Sequence, residues 1–234
     1  MPDSPQLDRL VFAMDNTAWT SRRVADGVEV HSGYPSFRPD EPPSRVEGFY
    51  ITAERGDVTV DHGLAYFHDA CHFADTANRM TTASGILRVD DARIADYHAI
   101  VRTGFALPWP LQDREFLHSV ATRRDTDPEG RDRALIVYAS VSEAGLAPPW
   151  EGYRRCPMAA SGQRVTALGD GRVRLEHCMT YSLGGWVPGW AQNHLFHRGH
   201  VGAYHEEWVA AMDTLATEVA AGPALATGRG VRPE

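Results

Sequence analysis

The stretch Gly184-Gly185-Trp186-Val187-Pro188-Gly189-Trp190-Ala191-Gln192-Asn193 separates two periodicities, and its reading decides the fold. Its glycines and Pro188 interrupt whatever precedes them. Downstream, Phe196, Val201, Tyr204, Trp208, Met212, Leu215 and Val219 recur every three to five residues as far as about Ala221, the spacing of an amphipathic helix. Upstream the period is two. The runs Tyr97–Phe105, Glu115–Thr122, Ala134–Ser142, Arg164–Leu168 and Arg172–Ser182 are parted by the turn formers Asp127-Pro128-Glu129-Gly130, Pro148-Pro149 and Gly169-Asp170-Gly171. Successive hairpins ending in one long helix predict an α+β chain whose curved antiparallel sheet wraps that helix, with core or cavity between them.

Further from the centre, Leu7, Leu10, Val11, Met14 and Ala18 predict a helix within residues 4–19. Val24–Val30, containing a turn-like Asp26-Gly27, and Val46–Ala53 read as strands. The segment between them carries Pro35, Pro39, Pro42 and Pro43 and extends no element. Val60, Leu64, Phe67, Cys71 and Phe73 place a second helix over Asp57–Met80. Residues 1–221 are expected to form one domain, and 222–234 a flexible tail.

Composition narrows the class. With 43% hydrophobic and 23% charged residues the chain is not a disordered one. No apolar run approaches the ~18 residues that cross a bilayer, and the N-terminus has no basic, apolar leader, so a cytoplasmic location is expected. A net charge of -8 argues against nucleic acid as a partner. Cys71, Cys156 and Cys178 show no CxxC spacing and predict reduced thiols. Every basic residue is arginine, which fits GC-rich bacterial coding and removes lysine Schiff-base chemistry.

Three segments carry a likeness to a known family: Pro110-Leu111-Gln112-Asp113-Arg114-Glu115-Phe116, then Pro149-Trp150-Glu151-Gly152-Tyr153-Arg154-Arg155, then Gly184–Asn193. Together they resemble the steroidogenic-acute-regulatory-related lipid-transfer (START) domain, with its P-x-x-x-R-[DE]-[FY] strand start and G-G-x-[IV]-P-x-W-x-x-N helix start. The resemblance implies a helix-grip fold in the wider Bet v 1-like group, with an internal hydrophobic tunnel for one lipid. A Trp-Asp pair that many members carry at the end of the second helix is replaced here by the region Asn78-Arg79-Met80-Thr81-Thr82. Sterol-binding relatives place a carboxylate and an arginine where this chain has Val101 and Val120, and phospholipid-binding relatives use an arginine for which Arg79 is the nearest match.

Alternation assigns Ala99, Val101, Thr103 and Phe105 to one face; Phe116, His118, Val120 and Thr122 to one face of the next strand; and Leu135, Val137, Ala139 and Val141 to one face of the third. Val173, Leu175, His177, Met179 and Tyr181 form a fourth row, with Arg174 and Glu176 directed outward. The resemblance then implies a ligand lining of Arg79, Val101, Thr103, His118, Val120, Val137, Met158, His177, Tyr181, Phe196, His200 and Tyr204. Its polar members equally suit ordinary hydrogen bonding within a core. His68 and His72, and the histidines of the last helix, lack a third-ligand pattern, so neither metal nor cofactor is expected.

The function implied is binding or transfer of one hydrophobic ligand, whether phospholipid, fatty or polycyclic, with transient membrane contact and oligomeric state left open. The alternative is a polyketide aromatase/cyclase-like or hydrolytic enzyme that uses His118 or His177 as a base in the same cavity.

Overall fold

The computed structural model describes residues 4–72, 81–91, 98–107, 111–141, 147–180, 182–184 and 187–220, without the side chains of 69–72, 81–86, 88–91, 195–200 and 204. The elements run α1 (Ser4–Asn16), β1 (Thr20–Ala25), β2 (Val28–Gly33), β3 (Gly48–Arg55), α2 (Val60–His72), β4 (Thr81–Asp91), β5 (His98–Phe105), β6 (Asp113–Thr126), β7 (Asp132–Ser140), β8 (Tyr153–Arg155), β9 (Ser161–Ala167), β10 (Val173–Met179) and α3 (Gly189–Ala220). No described helix is long and apolar enough to cross a membrane.

All ten strands join one sheet in the order β1-β2-β3-β10-β9-β7-β6-β5-β4, with β8 attached to β6. After β3, α2 carries the chain to the far edge of the sheet. The meander β4 to β7, continued by β9 and β10, then returns until β10 pairs antiparallel with β3. The sheet is antiparallel except at β8, which lies parallel to β6 through Asp113↔Tyr153 to Glu115↔Arg155.

Each face buries a separate apolar cluster. Inside, Ala99, Val101, Val120, Ile136, Val165 and Leu175 from the strands meet Leu64 and Phe67 of α2 and Trp208, Met212 and Leu215 of α3. Phe67 and Trp208 touch at 5.7 Å between ring centres. Outside, α1 lays Leu7, Leu10, Ala13 and Met14 on Ala121, Leu135, Val137 and Cys178. Leu7, Leu10 and Met14 recur at helical spacing, so a single stripe of α1 is apolar.

Several expectations are corrected. The segment Val24–Val30 is two strands joined at Asp26-Gly27, where both residues have positive φ, 53° and 73°. That is the backbone of a two-residue hairpin of right-handed twist, and Asp-Gly suits it. α2 is described as far as His72, the rest of its expected span to Met80 lying outside the described residues, and it shares the inner face with α3. β4 was not expected. Its pairing with β5 shifts register at three places, and such bulges break the alternation by which a strand is read.

The assignment of faces on β7 is also reversed. Ala134, Ile136 and Tyr138 point inward, whereas Leu135 and Val137 pack beneath α1. β7 is covered on both sides, so both sets are apolar and the pattern carries no parity. The expected tail over 222–234 lies outside the described residues.

Gly162 of β9 is held by contact with its neighbour. A Cβ there would lie 1.9 Å from the Ile136 carbonyl oxygen and 2.8 Å from Leu10 Cδ2. Gly162→Ala is therefore expected to lower unfolding free energy by an amount at or beyond the upper end of the roughly 1–3 kcal/mol that overpacking costs. The urea midpoint measures it, and an unchanged midpoint would contradict this packing.

Candidate functional site

Among the described residues, the surface between the sheet and its two inner helices is apolar apart from Thr103, Thr122 and Ser161 and a diagonal of uncharged polar side chains crossing β6, β7, β9 and β10. His118 stands edge-on to Tyr138 at 5.8 Å between ring centres. The Tyr138 hydroxyl donates to the Gln163 carbonyl oxygen. Gln163 is the cross-strand partner of His177, whose ring lies 6.0 Å from that of Trp208 on α3. Strand alternation brings these groups to one face, and antiparallel register places them next to one another.

His118 is only 6% exposed, and its Nδ1 is buried without a hydrogen-bond partner. Burial pushes its imidazole down to about 4, with the Phe116 backbone opposing the shift. His177 is likewise pushed down to about 4 by burial. Both rings are therefore neutral across the physiological range.

The residues expected to line a ligand site divide as follows. Val101 and Val120 are fully buried in the inner cluster beside His118, and Met158 packs partly buried against that cluster. Thr103 faces inward, half-buried, opposite Phe116. Val137 belongs to the outer cluster and is removed from the lining. Arg79 and Tyr181 lie outside the described residues, as do the side chains of Phe196, His200 and Tyr204, whose backbone belongs to α3.

Tyr138 and Gln163 were missed. Tyr138 was lost with the reversed parity of β7. Gln163 precedes Arg164, where the alternating run was taken to begin, although β9 starts at Ser161. Among the described residues no group of three His, Cys, Asp or Glu side chains converges as a metal site. His205 instead has its Nε2 2.9 Å from the Ala25 carbonyl oxygen, tying α3 to β1.

The motif residues frame this surface rather than line it. Arg114 Nε donates to the Leu183 carbonyl at 2.8 Å, and Cys156 Sγ bonds the same oxygen. Leu183 N–H donates to Gln192 Oε1 in the first turn of α3, and Asn193 Oδ1 accepts from Glu47 N–H. The two motifs thus meet at Leu183 and fix where α3 begins.

On the opposite face Glu115 is fully buried, 0% exposed, and accepts from Arg102 (2.9 Å), Arg155 (2.8 Å) and the Trp150 N–H (2.9 Å). The Arg102 guanidinium carbon lies 3.9 Å from the Trp150 ring centre. Burial works to raise the Glu115 pKa, but the Trp150 N–H and the two arginines outweigh it and hold the carboxyl below its usual range.

The START domain family model matches residues 74–218. Among solved structures, human STARD10 superposes with a TM-score of 0.68 at 14% identity, over 91% of this chain and 81% of that one. Human StAR-related lipid transfer protein 5 gives 0.56 at 15% identity, over 88% and 87%. A STAR-related lipid transfer protein fragment from Xanthomonas axonopodis gives 0.55 at 17% identity, over 86% and 98%. At these identities the likeness is one of fold. No curated protein sequence matches the chain.

Two predictions follow from the charges. Glu115→Gln leaves Arg102 and Arg155 without their counter-charge and is expected to cost roughly 3–5 kcal/mol in urea unfolding. Unfolded imidazoles protonate near pH 6.5 but folded His118 and His177 only near 4, so the unfolded chain binds more protons in that window. Stability should accordingly be full above about pH 6.5 and decline as pH falls toward 4. His118→Phe should flatten part of the slope in pH-resolved urea unfolding, and an unaltered slope would contradict the buried neutral ring.

Proposed function

The chain belongs to the START domain family, whose model spans more than half of it, and from that premise we propose that it is a lipid-binding protein holding one hydrophobic ligand in an internal tunnel. The observation that carries this reading is the state of side chains that face inward without being closed off. Met179, Thr103 and Met158 stay partly accessible beside the buried apolar cluster. A solidly packed core buries such groups. A ligand chain contributes about 0.8 kcal/mol for each buried methylene, which offsets the cost of an unfilled interior.

The names of relatives such as human StAR-related lipid transfer protein 5 support a carrier role, in which ligand is loaded at a membrane and shielded in the cytoplasm. The cyclase-like or hydrolytic reading has less support. A general base works best with a pKa near the operating pH, and imidazoles held near 4 are weak bases at neutrality. Hydrogen bonding suits them better than proton abstraction.

Native mass spectrometry of freshly purified protein should show a bound species that organic extraction removes. The extracted protein should then take up a fluorescent sterol or fatty alcohol probe. A clean unliganded mass with no uptake of either probe would refute the proposal.

A further inference from the structure

We infer that the ligand's polar end is an uncharged oxygen function, a hydroxyl or carbonyl, received by the diagonal His118, Tyr138, Gln163 and His177, and that carboxylate and phosphate ends are refused. The inference rests on the lipid-binding reading above and specifies its ligand.

Three observations carry it. The first is an unmet hydrogen-bonding group: His118 is more than nine-tenths buried, yet its Nδ1 meets no partner at hydrogen-bonding geometry, although the Phe116 backbone lies close enough to act on the ring. Buried polar atoms are normally paired, and leaving one unmade costs free energy until something supplies the bond. Its surroundings are Val101, Val120 and the Tyr138 ring, a setting for hydrocarbon carrying one polar atom.

The second is the distribution of charge. Along 99–105, 116–122, 134–140, 161–165 and 173–179, the inward positions of the described strands hold no carboxylate and no guanidinium. The charged residues in those spans point outward and are paired: Arg102 with Glu115, Arg164 with Glu176, and Arg174 with Glu54. Arg114, beside the inner face, is committed to the Leu183 and Gln112 carbonyls. Among these described strand positions a carboxylate or phosphate would find no counter-charge, and burying one so costs far more than exchanging one neutral hydrogen bond for another.

The third is that the diagonal is built to stay neutral. Tyr138 and Gln163 satisfy each other without charge, and the two imidazoles lose theirs on burial. Neutral donors and acceptors in one row can serve a hydroxyl, which both gives and takes a hydrogen bond, or a carbonyl, which takes one.

The test uses probes of equal chain length and different ends: hexadecanol, hexadecane and palmitate, each competing with a bound fluorescent sterol probe, alongside uptake from phosphatidylcholine vesicles. Hexadecanol is expected to bind roughly tenfold more tightly than hexadecane, as one well-placed hydrogen bond gives, and palmitate and phosphatidylcholine more weakly than either. In the paired variant Tyr138→Phe with Gln163→Leu, and separately in His118→Phe, the preference for hexadecanol over hexadecane should shrink to less than about threefold. Palmitate or phosphatidylcholine binding as well as hexadecanol overturns the inference but leaves the lipid-binding reading standing. So does a hydroxyl preference that survives in both variants. Failure of every probe to bind overturns both. The wild-type series decides the matter even if a variant fails to fold.

Discussion

Charge in this sheet is spent on its outer side, and the interior depends on that. Glu115 and Glu176 are buried carboxylates, each gripped by arginine: Glu115 by Arg102 and Arg155, Glu176 by both ends of the Arg164 guanidinium at 2.6 and 2.7 Å. Arg164 also reaches Asp15 at the end of α1, so the same ion pair that neutralises the convex face fastens the helix covering it. Because adjacent strand residues face opposite ways, each charge fixed outward commits its neighbours inward, and those neighbours are apolar or neutral except Arg114, which is committed to the Leu183 and Gln112 carbonyls. Among the described strand positions, an inner row without carboxylates beneath a heavily charged outer face is the outcome of that alternation.

The motifs that mark the family acquire a physical meaning here. Arg114 and Glu115 are consecutive, so one serves each face. Arg114 reaches the loop before α3 through Leu183, while Glu115 draws in the short parallel strand β8 and the Trp150 loop. Gln192 and Asn193 complete the clasp from the helix side. None of these residues belongs to the polar diagonal. They hold the segments that frame the inner face, on which Val101 and Val120 are buried.

The meander and the long last helix were legible because their periods are clean and their turns are marked by Gly, Pro and Asp. What could not be read had specific causes. β4 hides its alternation behind bulges. β7 is apolar on both faces because α1 covers the outer one, so Val137 and Ile136 look alike in sequence although they sit in different clusters. Of the polar diagonal, His118 and His177 stood out as polar residues in apolar rows, whereas Tyr138 passed for an outward residue and Gln163 for the edge of a loop. Half of the site was therefore visible, and the other half depended on tertiary context.

The junction of β3 with β10 has a consequence for how the chain reaches this state. Partners such as Arg55 and Val173, or Phe49 and Met179, are roughly 120 residues apart, so the first hairpins emerge long before the strand that seats them. Folding is expected to be slow and late-closing. A chain trimmed to the span recognised by the family would leave β10 with an unpaired edge, an adhesive ribbon open to the same strand of another molecule. The N-terminal third, though it contributes nothing to the polar diagonal, thus covers the edge of β10 and moves the open edge of the sheet out to the short strand β1.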